Sequence, residues 1–214
     1  MKTAAARKLE SELQLASLGV RLNRHLPNIE DETEAQPPAS GTVARRALVL
    51  YCITAIGFDA KPEEVRATLE AADLWSEVSA QERDLFREGG LSPEATVNAG
   101  WRAEATWVLL WALGLVPALA LPTKQCSTAQ LQSLLESHLD ASHEFAEGAR
   151  LRSVAELLDA ADYIYRLHWA TRQVRLDETG GPPGIDPGIV QERHYALNWL
   201  IGTEAGWDDI TTDT

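Results

Sequence analysis

In the stretch DYIYRLHWATRQVRL, residues 162–176, Tyr165, Arg166, His168, Trp169 and Arg172 fall within two turns of one predicted helix. Arginine forks beside an imidazole suit an anionic ligand, because they offer several charged donors in one place. The same texture returns in WRAEATWVLLWALGL (101–115), with Arg102 and Glu104. It returns again in ERHYALNWL (192–200), with Glu192, Arg193, His194 and Asn198. The segment VARRALVLYC adds Arg46. Two readings fit these residues. One is a satisfied polar network that fixes helix register. The other is a cleft whose Arg and His side chains hold an anionic ligand.

Other chemistry finds less support. His143 and Glu147 in HEFAE stand at i, i+4, half of a zincin-type metal motif, but the second histidine is missing. A Ser142 cap on a short solvated helix explains that stretch better. Glu192 and His194 point about 200° apart on a helix and cannot chelate one ion together. No ExxH pair occurs, so the di-iron bundle pattern is absent. The chain has no GxSxG, GxGxxG or Walker loop. Cys52 and Cys126 are far apart and without a CxxC, which implies neither a zinc site nor a disulfide scaffold. Cys126 precedes a helix cap, where a thiol pKa can fall, yet no histidine is near it in sequence. No catalytic residue, metal or cofactor is expected.

The elements that must position these side chains all read as helices. The first spans Thr3 to Leu18 and stops at Gly19. An extended arm follows, packing through Val20, Leu22, Leu26 and Ile29, and then a Pro-rich acidic linker to about residue 40. A helix runs from about Thr42 to Ile56, capped by Ser40 or Thr42 and stopped by Gly57. Pro62 opens the next, which ends near Trp75. SAQE (79–82), STAQ (127–130) and SVAE (153–156) are capping boxes, and the first opens a short helix to about Glu88. SPE (92–94) opens a long helix from Pro93 to about Gly114. The helix after Ser153 reaches about Leu176, DETGGPPGIDPG is loop, and a last helix covers about Ile189 to Ile201.

Helical spacing sorts the faces. Leu157, Ala161, Ile164 and His168 form one stripe, so His168 looks inward. Val190, His194, Leu197 and Ile201 repeat it, as do Val43, Arg46, Leu50 and Ile53. Val97, Trp101, Ala105, Val108 and Ala112 line the long helix, which is apolar all round after Glu104. Buried charges need partners, since a lone one costs several kcal/mol. The expected partners of Arg46, Arg102 and Arg166 are Glu104 and Glu192, with Asp162 available to Arg166 at i, i+4. No strand pattern or internal repeat occurs. The expected fold is therefore all-α: a compact orthogonal multi-helix bundle around a central buried helix at about 93–114. One domain, 1–214, carries the arm and linker at about 20–40 and an acidic tail at about 203–214.

VARRALVLYC, WRAEATWVLLWALGL, LDAADYIYRLHWATR, ERHYALNWL and the closing GWDDITTDT together resemble the bacterial family called domain of unknown function 4272. The resemblance extends from about Leu18 to the end. It implies a soluble bacterial helical domain and carries over no catalytic residue.

Composition bounds the function. The chain has 214 residues, 45% of them hydrophobic, enough for an ordinary core. Its net charge is −13, from 19 basic and 32 acidic residues. Glu30, Asp31, Glu32 and Glu34 concentrate acid in the linker, and Glu204, Asp208, Asp209 and Asp213 in the tail. Removing those eight charges leaves −5. Such a surface disfavours nucleic acid. Ala105 to Leu121 is uncharged for 17 residues, but Gly114 and Pro117 interrupt it and no basic cluster flanks it. A buried helix, not a membrane span, is expected. No apolar run follows Lys2, Arg7 and Lys8, as a signal peptide would need, and two unpaired thiols suit a cytoplasmic protein. Two functions follow from different classes. The first is a non-enzymatic interaction protein, inhibitor-like, immunity-like or regulatory, with a basic protein partner. The second is a binder of, or enzyme acting on, a small anionic molecule.

Overall fold

The computed structural model describes residues 2–87, 91–177 and 184–214. Among these residues there are nine α-helices and no strand, so the chain is all-α. The described residues group into two compact units. The first comprises Met1–Pro38, Ala120–Gln125 and Arg152–Thr214; the second comprises Ala39–Leu119 and Cys126–Leu151.

The second unit contains α2 (Ser40–Ile56), α3 (Pro62–Ala71), α4 (Ala80–Arg83), α5 (Pro93–Ala112), α6 (Thr128–Leu135) and α7 (Ser142–Gly148). Helix α5 begins where Ser92 accepts the Ala95 N–H, with Pro93 in the first turn. Its second half, from Ala103 to Ala112, is buried nearly all round, which is why no polar face is needed there. It packs on α2, whose Val43, Ala44 and Ala47 to Leu50 are also buried. The two helices meet closely at Gly57, just after α2. A Cβ on Gly57 would overlap the backbone of Gly100 in α5. Glycine at 57 therefore serves close packing; its backbone is ordinary right-handed, with φ −67°.

Several local readings change here. Ala39, with no side-chain cap, precedes α2, because the Ser40 hydroxyl donates to the Ala149 carbonyl. Helix α3 stops at Ala71, and Trp75 opens a separate 3-10 turn. Val97, expected inside, is 58% exposed, so the stripe through it holds only in the second half of α5. Ser142 is the first residue of α7 rather than its cap, and its hydroxyl is buried against the Ala72 carbonyl. The Ser79–Glu82 box is complete, while Ser127 is seen accepting the Gln130 N–H.

The first unit contains α1 (Ala4–Ser17), α8 (Val154–Leu176) and α9 (Pro187–Ile201). Thr3 caps α1, and Gly19 ends it in the left-handed conformation at φ +72°. Ser153 and Glu156 form a reciprocal capping box on α8. Asp186 caps α9 by accepting from the Gly188 and Ile189 N–H groups, so that helix starts two residues earlier than its apolar spacing predicts. Residues 178–183 of the preceding loop lie outside the described residues. Gly202 ends α9 at φ +80°, and a Cβ there would overlap the Gln36 backbone. The linker passes at this point, its Gln36 N–H donating to the Ile201 carbonyl at 3.0 Å. Arm residues Val20 and Leu26 are buried, and Leu22 and Ile29 half-buried. No helix among the described residues is long and apolar enough to cross a membrane.

Candidate functional site

The sharpest feature of the first unit joins α8 to α9. His168 and His194 are 5% and 1% exposed, and their Nδ1 atoms lie 2.8 Å apart. Two Nδ1 atoms at that distance share one proton, one ring donating and the other accepting. Burial pushes the His168 pKa down to about 4, helped by the cations Arg172 and Arg175. Burial pushes His194 down to about 3, with His168 and Arg172 adding to it. With both rings neutral near pH 7, one Nδ1 carries the hydrogen and the other accepts it. Tyr165 lies beside the pair, its ring 5.8 Å from that of His194. A buried neutral pair with such low pKa values is poorly matched to acid–base work near neutrality. What it does well is clasp two helices.

Several arginines of this unit donate to protein oxygens. Arg166, 3% exposed, gives its Nε and Nη2 to the two carboxylate oxygens of Asp162 at 2.9 and 2.7 Å. Its Nη2 also donates to the Pro27 carbonyl at 3.1 Å, tying the arm to α8. Glu12 of α1 stands farther off, 4.0 Å from Arg166 Nη1. Buried Arg193 donates to the Ala120 carbonyl at 2.6 Å, while the Asp186 N–H donates to Pro122 at 2.8 Å. Together these bonds hold the 120–125 segment on the start of α9. Arg172 is exposed and reaches the Thr214 hydroxyl at 3.5 Å. Asn198 donates to the Thr211 carbonyl at 2.8 Å. Two candidate ligand groups therefore meet the chain's own tail. Glu192 is half-buried on α9.

The tail is docked by apolar contact as well. Trp207 and Ile210 are 7% and 6% exposed. The Trp207 ring meets Tyr195 and Trp199 edge-on, at 5.1 and 5.2 Å, and its carbonyl accepts the Tyr195 hydroxyl.

In the second unit Arg46 is paired with Glu82, the acid of the first capping box, and donates to the Glu77 carbonyl at 2.9 Å. Glu82, which the helical spacing did not single out as a partner, thus supplies a carboxylate to Arg46. Glu104, 1% exposed, accepts the Cys126 N–H and so anchors the approach to α6. Arg102 is half-buried, and its carbonyl accepts the Thr106 hydroxyl at 2.8 Å. Arg45 meets Glu77 at 3.0 Å and the Asp73 carbonyl. Burial pushes the Cys52 thiol up to about 12, so it stays protonated and inert. His143 and Glu147 do meet, at 3.3 Å, but both are well exposed. Among the described residues no group of three or more His, Cys, Asp or Glu is placed to hold a metal ion.

The chain matches the family model described as Domain of unknown function (DUF4272) over residues 7–210. It belongs to the DUF4272 family. No curated protein and no solved structure matches it. The DUF4272 match covers both units, so the polar clusters of each lie within the family domain. None of the ten candidate residues lines any of three open grooves found on the second unit.

Sequence reading missed three members of these networks. Arg7 is 1% exposed and donates to Asp159 at 2.9 Å. Its signal was present: Arg7, Ser11 and Leu15 repeat at four-residue spacing and form the buried stripe of α1. Glu82 shows in the sequence only as the acid of a capping box. Ser142 has the sequence setting of a cap, and nothing in its neighbours distinguishes a cap from a buried bridge.

Proposed function

We propose that this DUF4272 protein is a non-enzymatic interaction protein of the bacterial cytoplasm that binds a basic protein partner. The supporting observation is the division of its charges. Inner charged and polar groups, Arg166 with Asp162, Arg46 with Glu82 and His168 with His194, bond to one another. The net −13 is carried outside, on exposed acids such as Glu34, Glu136, Glu144, Glu147, Glu204 and Asp213. Paired inner charges hold a fold, whereas outer charge of one sign steers a partner of the opposite sign. An enzyme or small-anion site finds weaker support, since Arg166 turns its Nε–Nη2 edge to Asp162 and Arg193 donates to Ala120.

The test is affinity capture of the tagged protein in its native cells at low salt, with the partner identified by mass spectrometry and binding remeasured on purified components. A single saturable partner of basic isoelectric point, released about tenfold or more easily at raised salt, is expected. A dominant partner that is acidic, or binding indifferent to salt, overturns the proposal.

A further inference from the structure

The largest of the three grooves lies in the second unit, where the end of α5 faces α7. Its volume is about 440 Å³, in the range that takes a few apolar side chains. Leu113, Leu115, Ala141, Phe145 and Ala149 line it. Leu115 is 39% exposed, and the Phe145 ring stacks on His138 at 4.2 Å, which stiffens that wall. Isolated exposed apolar groups are ordinary, but here several share one concave surface.

The rim is acidic. Glu136, Asp140, Glu144 and Glu147 are all exposed along the 3-10 turn Glu136–His138 and α7. Glu144 itself lines the groove. The one cation of the lining, Arg150, donates to the Glu147 and Ala149 carbonyls at 3.2 and 2.6 Å. Four exposed carboxylates fall within twelve residues of chain, one of them on the groove itself. A small cation would meet one or two of them, whereas a chain bearing several cations in succession meets the whole run. No strand is found among the described residues, so this unit offers no sheet edge for backbone pairing. An apolar concavity beside exposed acids suits helix-in-groove docking, with an apolar stripe entering and cations flanking it.

We infer that the α5–α7 groove is the docking site for a basic amphipathic helix of the protein partner, apolar side chains entering between Leu115 and Phe145 and Lys or Arg facing the acids of 136–147. This rests on the reading of the protein as a binder of a basic partner, and it names the surface and the partner's shape.

Gly148 supplies a clean probe. It is exposed at the last position of α7 and lines the groove, and a Cβ there meets no atom within 4 Å. Gly148→Trp therefore sets a bulky ring at the groove with no clash at its Cβ. The ligand for the test is a synthetic helical peptide with Leu at i, i+4 and i+7 and Lys elsewhere. A second peptide of the same composition, with its Leu positions scrambled around the helix, is the control. Binding is followed by fluorescence anisotropy, and location by methyl NMR shifts of Leu113, Leu115, Ala141 and Ala149. The full chain should bind the amphipathic peptide saturably and the scrambled one about tenfold more weakly. Gly148→Trp, with unchanged melting, should weaken binding by about tenfold or more. Glu144→Lys with Glu147→Lys should weaken it similarly at low salt and flatten its salt dependence. Leu115→Lys provides a second block independent of position 148.

Equal binding of both peptides, or unchanged affinity in Gly148→Trp and Leu115→Lys, overturns the groove. So does an absence of binding at low salt. The broader reading survives each of these results if the native partner still proves basic and salt-sensitive.

Discussion

At the scale of single residues, the His168–His194 bond makes two measurable demands. Removing one ring leaves the other a buried polar atom without its partner, which costs about 1–3 kcal/mol. His168→Ala should lower stability by that amount in a urea melt at pH 7. A melt equal to wild type would show that the 2.8 Å contact does not form in solution. The pair also sets a pH dependence. An unfolded histidine takes up a proton near pH 6.5, while the folded rings resist until about 4 and about 3. Between those limits the unfolded chain holds more protons, so stability falls as pH drops. Urea melts at pH 7 and pH 5 should show this loss, in a window above most carboxylate titration. In the double variant His168→Leu, His194→Leu the difference between the two pH values should shrink markedly. An equal slope in that variant would assign the pH dependence to other groups.

At the scale of elements, the crossing of α5 with the end of α2 is asymmetric in a way that substitutions can read. A Cβ at Gly57 collides with the Gly100 backbone, whereas a Cβ at Gly100 reaches Gly57 Cα at an ordinary 3.6 Å. Gly57→Ala should cost about 1–3 kcal/mol by forcing the helices apart. Gly100→Ala, in a helix interior, should be neutral or stabilising by up to about 1 kcal/mol. Thermal melts of the two variants check the contrast; similar effects from both would mean that the helices are not in contact there. Helix ends were widely legible at this scale. Thr3, Ser79, Ser92, Ser127 and Ser153 each accept a backbone N–H at the start of a helix, because capping needs only a short side chain three residues from its target. Ser40 and Ser142 misled because their hydroxyls bond to Ala149 and Ala72, 109 and 70 residues away in the chain. Nothing local marks such partners.

At the scale of the whole molecule, the C-terminal tail is part of the first unit. Burial of the Trp207 and Ile210 side chains contributes about 3–5 kcal/mol by area transfer, which more than offsets ordering a few residues. Deleting residues 203–214 should therefore lower the melting temperature by several degrees. The fluorescence lost in Trp207→Leu should be blue-shifted, as from an indole packed on Tyr195 and Trp199. A truncated chain that melts like the full one would make the tail an appendage. The acids of the linker are also less free than their run suggests. Asp31 accepts from the Thr33 hydroxyl and N–H and the Glu34 N–H, which lowers its pKa, and Glu32 accepts the Lys2 N–H.

What the sequence determined by itself was the kind of element and the face each one buries. Apolar spacing of 3.6 residues and short polar caps act within a few positions, so the all-α class, the inward His168, His194 and Arg46, and the apolar second half of α5 were all legible. Family membership was legible too, because it rests on the residues themselves. Pairing was decided only by tertiary structure. Arg46 finds Glu82 and Arg7 finds Asp159 across 36 and 152 residues, and any of the 32 acidic residues was available on paper. Burial makes each lone charge costly but does not name the partner that relieves it. Only the packing of helices does that. The same packing leaves the α5–α7 groove open, a concavity that no single helix encodes.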